Sequence, residues 1–422
     1  MKSRTRTVLN ECKLYILIIL LGAAAGAVLW CFLKVVEVCT ELLWDTLPAA
    51  TGVSYVPLIV CTAGGVITGI IHKKYGDYPE ELPVVLGKIR HDKHYDYGPM
   101  PVMLVCAFLP LILGASVGPE AGLTGIIAGL CYWVGDNVKY AKEHAEEYSE
   151  IGAAITLAGI FHIPLFGIFA VEEKAADDES SQFSMPRVTK LLLYGLSIAS
   201  SFLMMKGLGF LLGGVGEGFP SFGTAEASAA DYVLMLVYIP VGLILFFLFT
   251  YVQKLLAFIA DKVPTIIKET ICGLCIGGMA LLVPAVLFSG EKEMGMLEQQ
   301  FLAYTPLMLI GTCLLKLVMT AFCIEFGLKG GHFFPLIYAC ACMGFGIALL
   351  FFGDVGTGTA VITGHAVFAA AIINAATIGA QIKKPIAVSM LLLICFPIRF
   401  VLWIFVAAAL GSKVGAAILR TS

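Results

Sequence analysis

Glu120 is the residue in this sequence best placed to do chemistry. It is the only charged residue between Tyr97 and Gly135. A carboxylate at the centre of a bilayer costs roughly 2.5 kcal/mol or more, so its surroundings must make it tolerable. The stretch Gly114-Ala115-Ser116-Val117-Gly118-Pro119-Glu120-Ala121-Gly122 breaks the helical pattern, which then restarts. Glu120 is therefore predicted in the first turn of a helix that begins inside the membrane. A helix start presents free backbone N–H groups and the positive end of a dipole. Those groups hold either the carboxylate or an anion in its place. The plain alternative is a packing break in which Glu120 is an ordinary first-turn residue.

A second break, Gly327-Leu328-Lys329-Gly330-Gly331-His332-Phe333-Phe334-Pro335, has the same character. Helix starts at the two breaks present backbone N–H groups around Gly118, Pro119, Glu120 and Ala121 and around Gly331, His332, Phe333 and Phe334, which the family resemblance described below makes one anion site. Main-chain donors bind an anion without a buried counter-cation and leave binding weak enough for exit. His332 either adds a titratable charge or serves as a spacer. A third segment, Pro164 to Glu173, is apolar, too short to span and ends on Glu172 and Glu173, with Asp177, Asp178 and Glu179 following. Read from the residues alone, these acids are a solvated acidic helix end facing the cytosol. Gly114 to Gly118 also fits G-x-S-x-G, and His365 lies downstream, so a Ser116–His365 dyad of an intramembrane hydrolase is a competing reading.

The elements that hold these residues must lie in a membrane. Of 422 residues, 59% are hydrophobic and 14% charged, against about 25% charged in soluble domains. Mean hydropathy is +0.92. The fold class is all-α and polytopic, since only helices or closed barrels satisfy the backbone in lipid. A net charge of −3 gives no nucleic-acid signal. Cys272 and Cys275, and Cys340 and Cys342, read as buried apolar residues, and His91 and His94 as part of a solvated loop. No metal site or cofactor is expected. Lys2, Arg4, Arg6 and Lys13 precede the first apolar run, which places the N-terminus in the cytoplasm of a multi-pass plasma (inner) membrane protein.

Along the chain, residues 1–12 form a cytoplasmic N-terminus and 13–212 a first transmembrane repeat. Residues 213–231 make a loop linker, and 232–422 a second repeat. Spans are expected at Leu14 to Val38, Val56 to Ile71, Val188 to Leu212, Tyr232 to Ile259 and Leu302 to Phe322. A break-rich apolar region covers Ile266 to Phe288. The tail is expected as Val361 to Ile373, a break at Asn374 to Lys384, and a run from Pro385 to Leu410. The halves echo each other, because the Gly118 break matches the Gly331 break and Pro164 matches Pro385. Paired broken helices at corresponding positions mark a midplane transport site, and two inverted repeats with re-entrant helices are the expected architecture.

These residues resemble the CLC family of chloride channels and chloride/proton exchangers. Gly118-Pro119-Glu120-Ala121-Gly122 is similar to the family's G-[KR]-E-G-P motif. Gly331-His332-Phe333-Phe334-Pro335 matches G-x-F-x-P, and Ile163-Pro164-Leu165-Phe166-Gly167-Ile168 leads to the paired acids. Lys384-Pro385-Ile386-Ala387 looks like the second-half counterpart. The resemblance implies transport of a small inorganic anion, chloride or similar, in exchange for protons, with a passive channel of the same fold as the alternative. It implies Glu120 as the gate, Glu173 or Glu172 as an inner proton-transfer acid, and a homodimer in the lipid bilayer. Candidate dimer faces are Pro164–Val171 and Pro385–Trp403. Three departures stand out. Gly76, followed by Asp77, stands where the family's anion-binding serine falls. Gly415 stands where its anion-capping tyrosine falls. The third is that no cytoplasmic CBS domain is expected within these 422 residues.

Overall fold

Glycine and proline cut an apolar chain into helices, and the cuts recur in each half. The computed structural model describes residues 2–80, 84, 85, 88, 96–137, 145–173, 187–215, 220–223, 225–353 and 359–419. His91, His94, Asp177, Asp178 and Glu179 lie outside the described residues. The first half contains α1 (Lys2–Glu41), α2 (Val56–Tyr75), α3 (Met100–Ile112), α4 (Glu120–Asn137), α5 (Ala145–Phe161), α6 (Pro164–Glu172) and α7 (Arg187–Leu212). The second contains α8 (Ala229–Ala260), α9 (Thr265–Leu282), α10 (Glu291–Gln300), α11 (Pro306–Glu325), α12 (Phe333–Phe352), α13 (Thr359–Ile382), α14 (Pro385–Leu392) and α15 (Val401–Leu419). Among the described residues nine helices are long and apolar enough to cross a membrane, and the chain is an integral membrane protein.

Local chemistry sets the helix starts. Proline opens α6 and α14, where its missing N–H costs nothing. Thr305 caps α11 by accepting from the Met308 N–H at 3.3 Å. The Ser228 N–H donates to Asp231 at 2.7 Å in a capping box on α8. Two expectations for the tail change. Helix α13 runs unbroken through Asn374, whose side-chain NH2 donates to the Ala370 and Ile337 carbonyls at 3.0 and 3.3 Å while its Oδ1 has no partner; an Asn whose donors are answered by its own helix and a neighbour does not interrupt a helix. The stretch from Pro385 to Leu410 is two helices, because Pro397 stops the chain between α14 and α15.

The duplicated unit is now visible. Helices α3, α4, α5 and α6 correspond to α11, α12, α13 and α14, with a break between the first two in each set. The breaks meet in one antiparallel bridge, Gly118 with Gly331. Equivalent segments paired antiparallel are related by a two-fold axis, so the repeats are inverted. Helices α12 and α13 lie inside, 89% buried over their apolar windows, whereas the other spans are 28–50% buried and turn one face outward. Leu203, Phe210 and Leu236 are among the exposed apolar side chains, as expected where lipid is the solvent. Helices α2 and α9 pack so closely that a side chain at Gly65 or Gly273 would strike the opposite main chain, the small-residue contact common in membranes.

Candidate anion and proton site

Gly118 and Gly331 bring two helix starts together. The Gly118 N–H donates to the Gly331 carbonyl at 2.7 Å and the Gly331 N–H returns to Gly118 at 2.8 Å. Helix α4 then begins at Glu120 and α12 at Phe333. The Glu120 side chain, 1% exposed, crosses between them, and its Oε1 accepts the Phe333 N–H at 2.9 Å. The N–H groups of Phe334 and of Glu120 itself face the same carboxyl, while Oε2 has no hydrogen-bond partner. A Cβ on either Gly118 or Gly331 would run into this carboxyl group. Phe334 packs against Phe161, ring centroids 4.5 Å apart, and screens the junction.

This geometry revises part of the expected donor set. The N–H groups of Gly118 and Gly331 are spent on each other, so those glycines supply space and registration rather than donors. Pro119 has no N–H; it ends the break, its carbonyl accepting from Leu123 at 3.1 Å. Pro335 likewise has none, so the N–H groups at the start of α12 that meet the Glu120 carboxyl are those of Phe333 and Phe334, with Ala121 in the first turn of α4. His332 is the residue before α12. Its ring lies between Phe249 and Phe333, and its Nε2 is 3.5 Å from Gln381 Nε2.

Two opposed helix starts contending with one carboxylate have relatives. A family model for the voltage-gated chloride channel matches residues 64–416. The chain belongs to that family. It is 25% identical over 346 residues to chloride channel protein CLC-f of Arabidopsis thaliana, covering 77% of this chain and 43% of that protein. It is 21% identical over 350 residues to chloride channel protein CLC-e of the same plant, covering 76% and 47%. The chain thus spans less than half the length of these relatives. Among solved structures it is similar to a CLC-type fluoride/proton antiporter, with TM-score 0.72, 18% identity and coverage of 96% of this chain and 95% of that one. It is also similar to a slow cyanobacterial Cl−/H+ antiporter, with TM-score 0.77, 17% identity and coverage of 96% and 94%. At such identity the likeness is one of fold.

Within this CLC fold the other expected residues fall as follows. Glu173 caps α14: its Oε1 accepts the Ile386 N–H at 3.0 Å and its Oε2 the Ala387 N–H at 2.7 Å. Lys384 reaches back to the Ala170 carbonyl of α6 at 2.6 Å. Glu172 pairs with Lys190 at 2.6 Å and accepts from the Tyr194 hydroxyl at 3.0 Å. Both acids therefore have fixed partners, and neither meets Glu120. Gly76 ends α2 at φ +107, its N–H on the His72 carbonyl at 3.0 Å. Asp77 pairs with Lys329 of the second break at 2.7 Å. Burial pushes the Asp77 carboxyl up, but Lys329, His72 and Lys268 outweigh it and hold the group below its ordinary value. Gly415 lies within α15, packed on the Ala380 main chain of α13, and is a packing residue. The hydrolase dyad does not form. Ser116 shares a hydrogen bond with Thr320 at 2.9 Å, and His365 bonds Asp231 at 2.8 Å and stacks on Phe352.

Sequence reasoning passed over two features. Lys316, in the middle of α11, is fully buried and donates to the carbonyls of Val286, Leu287 and Phe288 at 3.2, 2.7 and 2.7 Å. The Phe288 N–H in turn donates to Gly114 at 3.1 Å, so a buried cation anchors the segment against the first break. Its signal was the one that marked Glu120, a single charge in an apolar run. The other is the buried pair of His72 and Glu269, 2.8 Å apart. Each sat in a stretch read only for its breaks or its polarity.

Proposed function

We propose that this protein moves a small inorganic anion, chloride or a similar ion, across a membrane in exchange for protons, with Glu120 as the gate. The observation that carries the reading is the Glu120 carboxyl seated on the Phe333 N–H at the meeting of two helix starts. That seat suits an anion as well as it suits the carboxylate, so the two exclude each other. Protonation removes the charge that holds Glu120 in place, and an anion then takes the N–H groups of Phe333, Phe334 and Ala121. The Cl−/H+ and F−/H+ antiporters that share the fold support exchange over passive conduction. Gly76 supplies no hydroxyl where the family resemblance puts a serine, so selectivity rests on main-chain donors and need not follow that of chloride-selective relatives.

The finer setting belongs to the same reading: a homodimer with an independent path in each subunit, a plasma (inner) membrane location, and a cytoplasmic N-terminus. Leu165 and Ile386, exposed on α6 and α14, lie on the candidate dimer face. The test is flux from liposomes carrying the purified protein, with chloride, fluoride and nitrate as anions and a proton-sensitive dye inside. The expected result is anion uptake driven by a pH gradient in the wild type, and pH-independent anion flux without proton movement in Glu120→Gln. Proton-coupled uptake that persists in Glu120→Gln would end the gate assignment, and anion flux without protons in the wild type would favour a channel.

A further inference from the structure

A second titratable site adjoins the far end of the second break. His72, 4% exposed, closes α2, and Glu269, fully buried, opens α9. The His72 Nδ1 lies 2.8 Å from Glu269 Oε1 and 3.7 Å from Asp77 Oδ1. Asp77 is half exposed and pairs with Lys329, whose side chain is 24% exposed. Lys268 of α9 and the Cys106 thiol of α3 complete the groups facing the pair. The cluster joins the turn after α2, the start of α9 and the break that leads to α12.

Two observations separate it from an ordinary structural ion pair. First, Glu269 Oε2 is buried with no hydrogen-bond partner, and the buried His72 Nε2 has no nitrogen or oxygen partner, only the Cys106 thiol beside the ring. Buried charged groups kept only for structure are normally satisfied at every polar atom; here each partner keeps one atom without a nitrogen or oxygen partner. Second, Glu269 fills the space where a side chain at Gly327 would be, with Oε1 2.6 Å from that position. Gly327 is held at φ +97, which suits only glycine. The same break ends on Gly331, where the Glu120 carboxyl fills the corresponding space. Two acids thus occupy opposite ends of a segment of five residues, whose four steps span no more than about 14 Å at full extension.

We infer that His72 and Glu269 form a second proton-binding site on the transport route, exchanging with water beside Asp77 and serving Glu120 across the Gly327–Gly331 segment. The inference rests on the antiport reading. One proton is taken up at His72 Nε2: an N–H bond forms there, the donor loses that proton, and Glu269 balances the new charge. Release reverses the step, with no other bond made or broken. The cluster is separate from Glu172, whose Oε1 is held by Lys190 and Tyr194, and from Glu173, whose oxygens cap α14.

The test measures proton and anion flux together in liposomes for the wild type, Glu269→Gln and His72→Gln, across pH 5 to 8. Glu269→Gln is expected to keep anion flux within about threefold while proton flux falls by about tenfold or more. His72→Gln is expected to flatten the pH profile of proton flux and leave the anion path open. A proton-to-anion ratio equal to the wild type in both variants overturns the inference and leaves the antiport reading standing. Parallel loss of both fluxes in both variants also overturns it, since that marks a purely structural pair. A wild type that moves anions without protons overturns both readings at once.

Discussion

Glu120 and Glu173 are two acids of the first repeat that sit on helix starts of the second, yet they are held very differently. Glu120 meets α12 through one oxygen and leaves the other unpartnered. Glu173 meets α14 through both oxygens and is partly exposed. A single hydrogen bond in a dry site is strong enough to seat a carboxylate while it is charged and weak enough to release it once neutral. A two-point cap fixes a helix start and the approach of α6 to α14. On the proposed reading, the same pairing of acid and helix start serves as a gate at Glu120 and as a cap at Glu173.

Removing the charge at Glu120 tests the gate half of that contrast and carries the largest effect. Glu120→Gln keeps an oxygen for the Phe333 N–H but takes no proton, so proton flux should fall by about a hundredfold or more while anion flux continues and loses its pH dependence. Next in size is the anchor behind the first break. Lys316→Met strands three buried carbonyls at Val286, Leu287 and Phe288, each costing about 1–3 kcal/mol, so the melting temperature in detergent should drop well below that of Glu120→Gln. Gly331→Ala puts a methyl where the Glu120 carboxyl lies; overpacking of that kind costs about 1–3 kcal/mol and should unseat the gate, visible as anion leak at high pH. Glu173→Gln tests the cap half. It loses one of two cap bonds, worth about 1 kcal/mol, and should lower the melting temperature by a few degrees while the proton-to-anion ratio stays near that of the wild type. A ratio that collapsed in Glu173→Gln would make both acids proton carriers and dissolve the contrast.

The parts of this site legible in the sequence were those marked by unlike neighbours. A lone acid amid apolar residues, followed by a helical pattern, gave Glu120 its place at a helix start, and paired glycine breaks gave the internal repeat. What stayed hidden depended on contacts between segments distant in the chain. No local signal says that the N–H groups of Gly118 and Gly331 bond each other, which removes both from the donor set. His72 reads as the start of a polar stretch until α9 brings Glu269 to it across 197 positions. Asn374 reads as a break until the Ile337 and Ala370 carbonyls answer its side-chain donors. Periodicity reports faces, and it does not report which polar atom a neighbouring helix will answer.

The finest distinction between the two acids lies in what surrounds them. Glu291, at the start of α10, acts on Glu120 through its charge. Burial, with the Glu293 carboxylate next in effect, pushes Glu291 up to about 7. Above that pH it is ionised and repels a charged Glu120, which makes proton uptake there easier; below it the repulsion fades. Glu291→Gln fixes the neutral form at every pH. The acid activation of anion flux should therefore shift to lower pH, with the difference from wild type largest above pH 7 and nearly gone at pH 5. An unchanged profile in Glu291→Gln would mean that the charge at Glu120 is set by the α12 N–H groups alone.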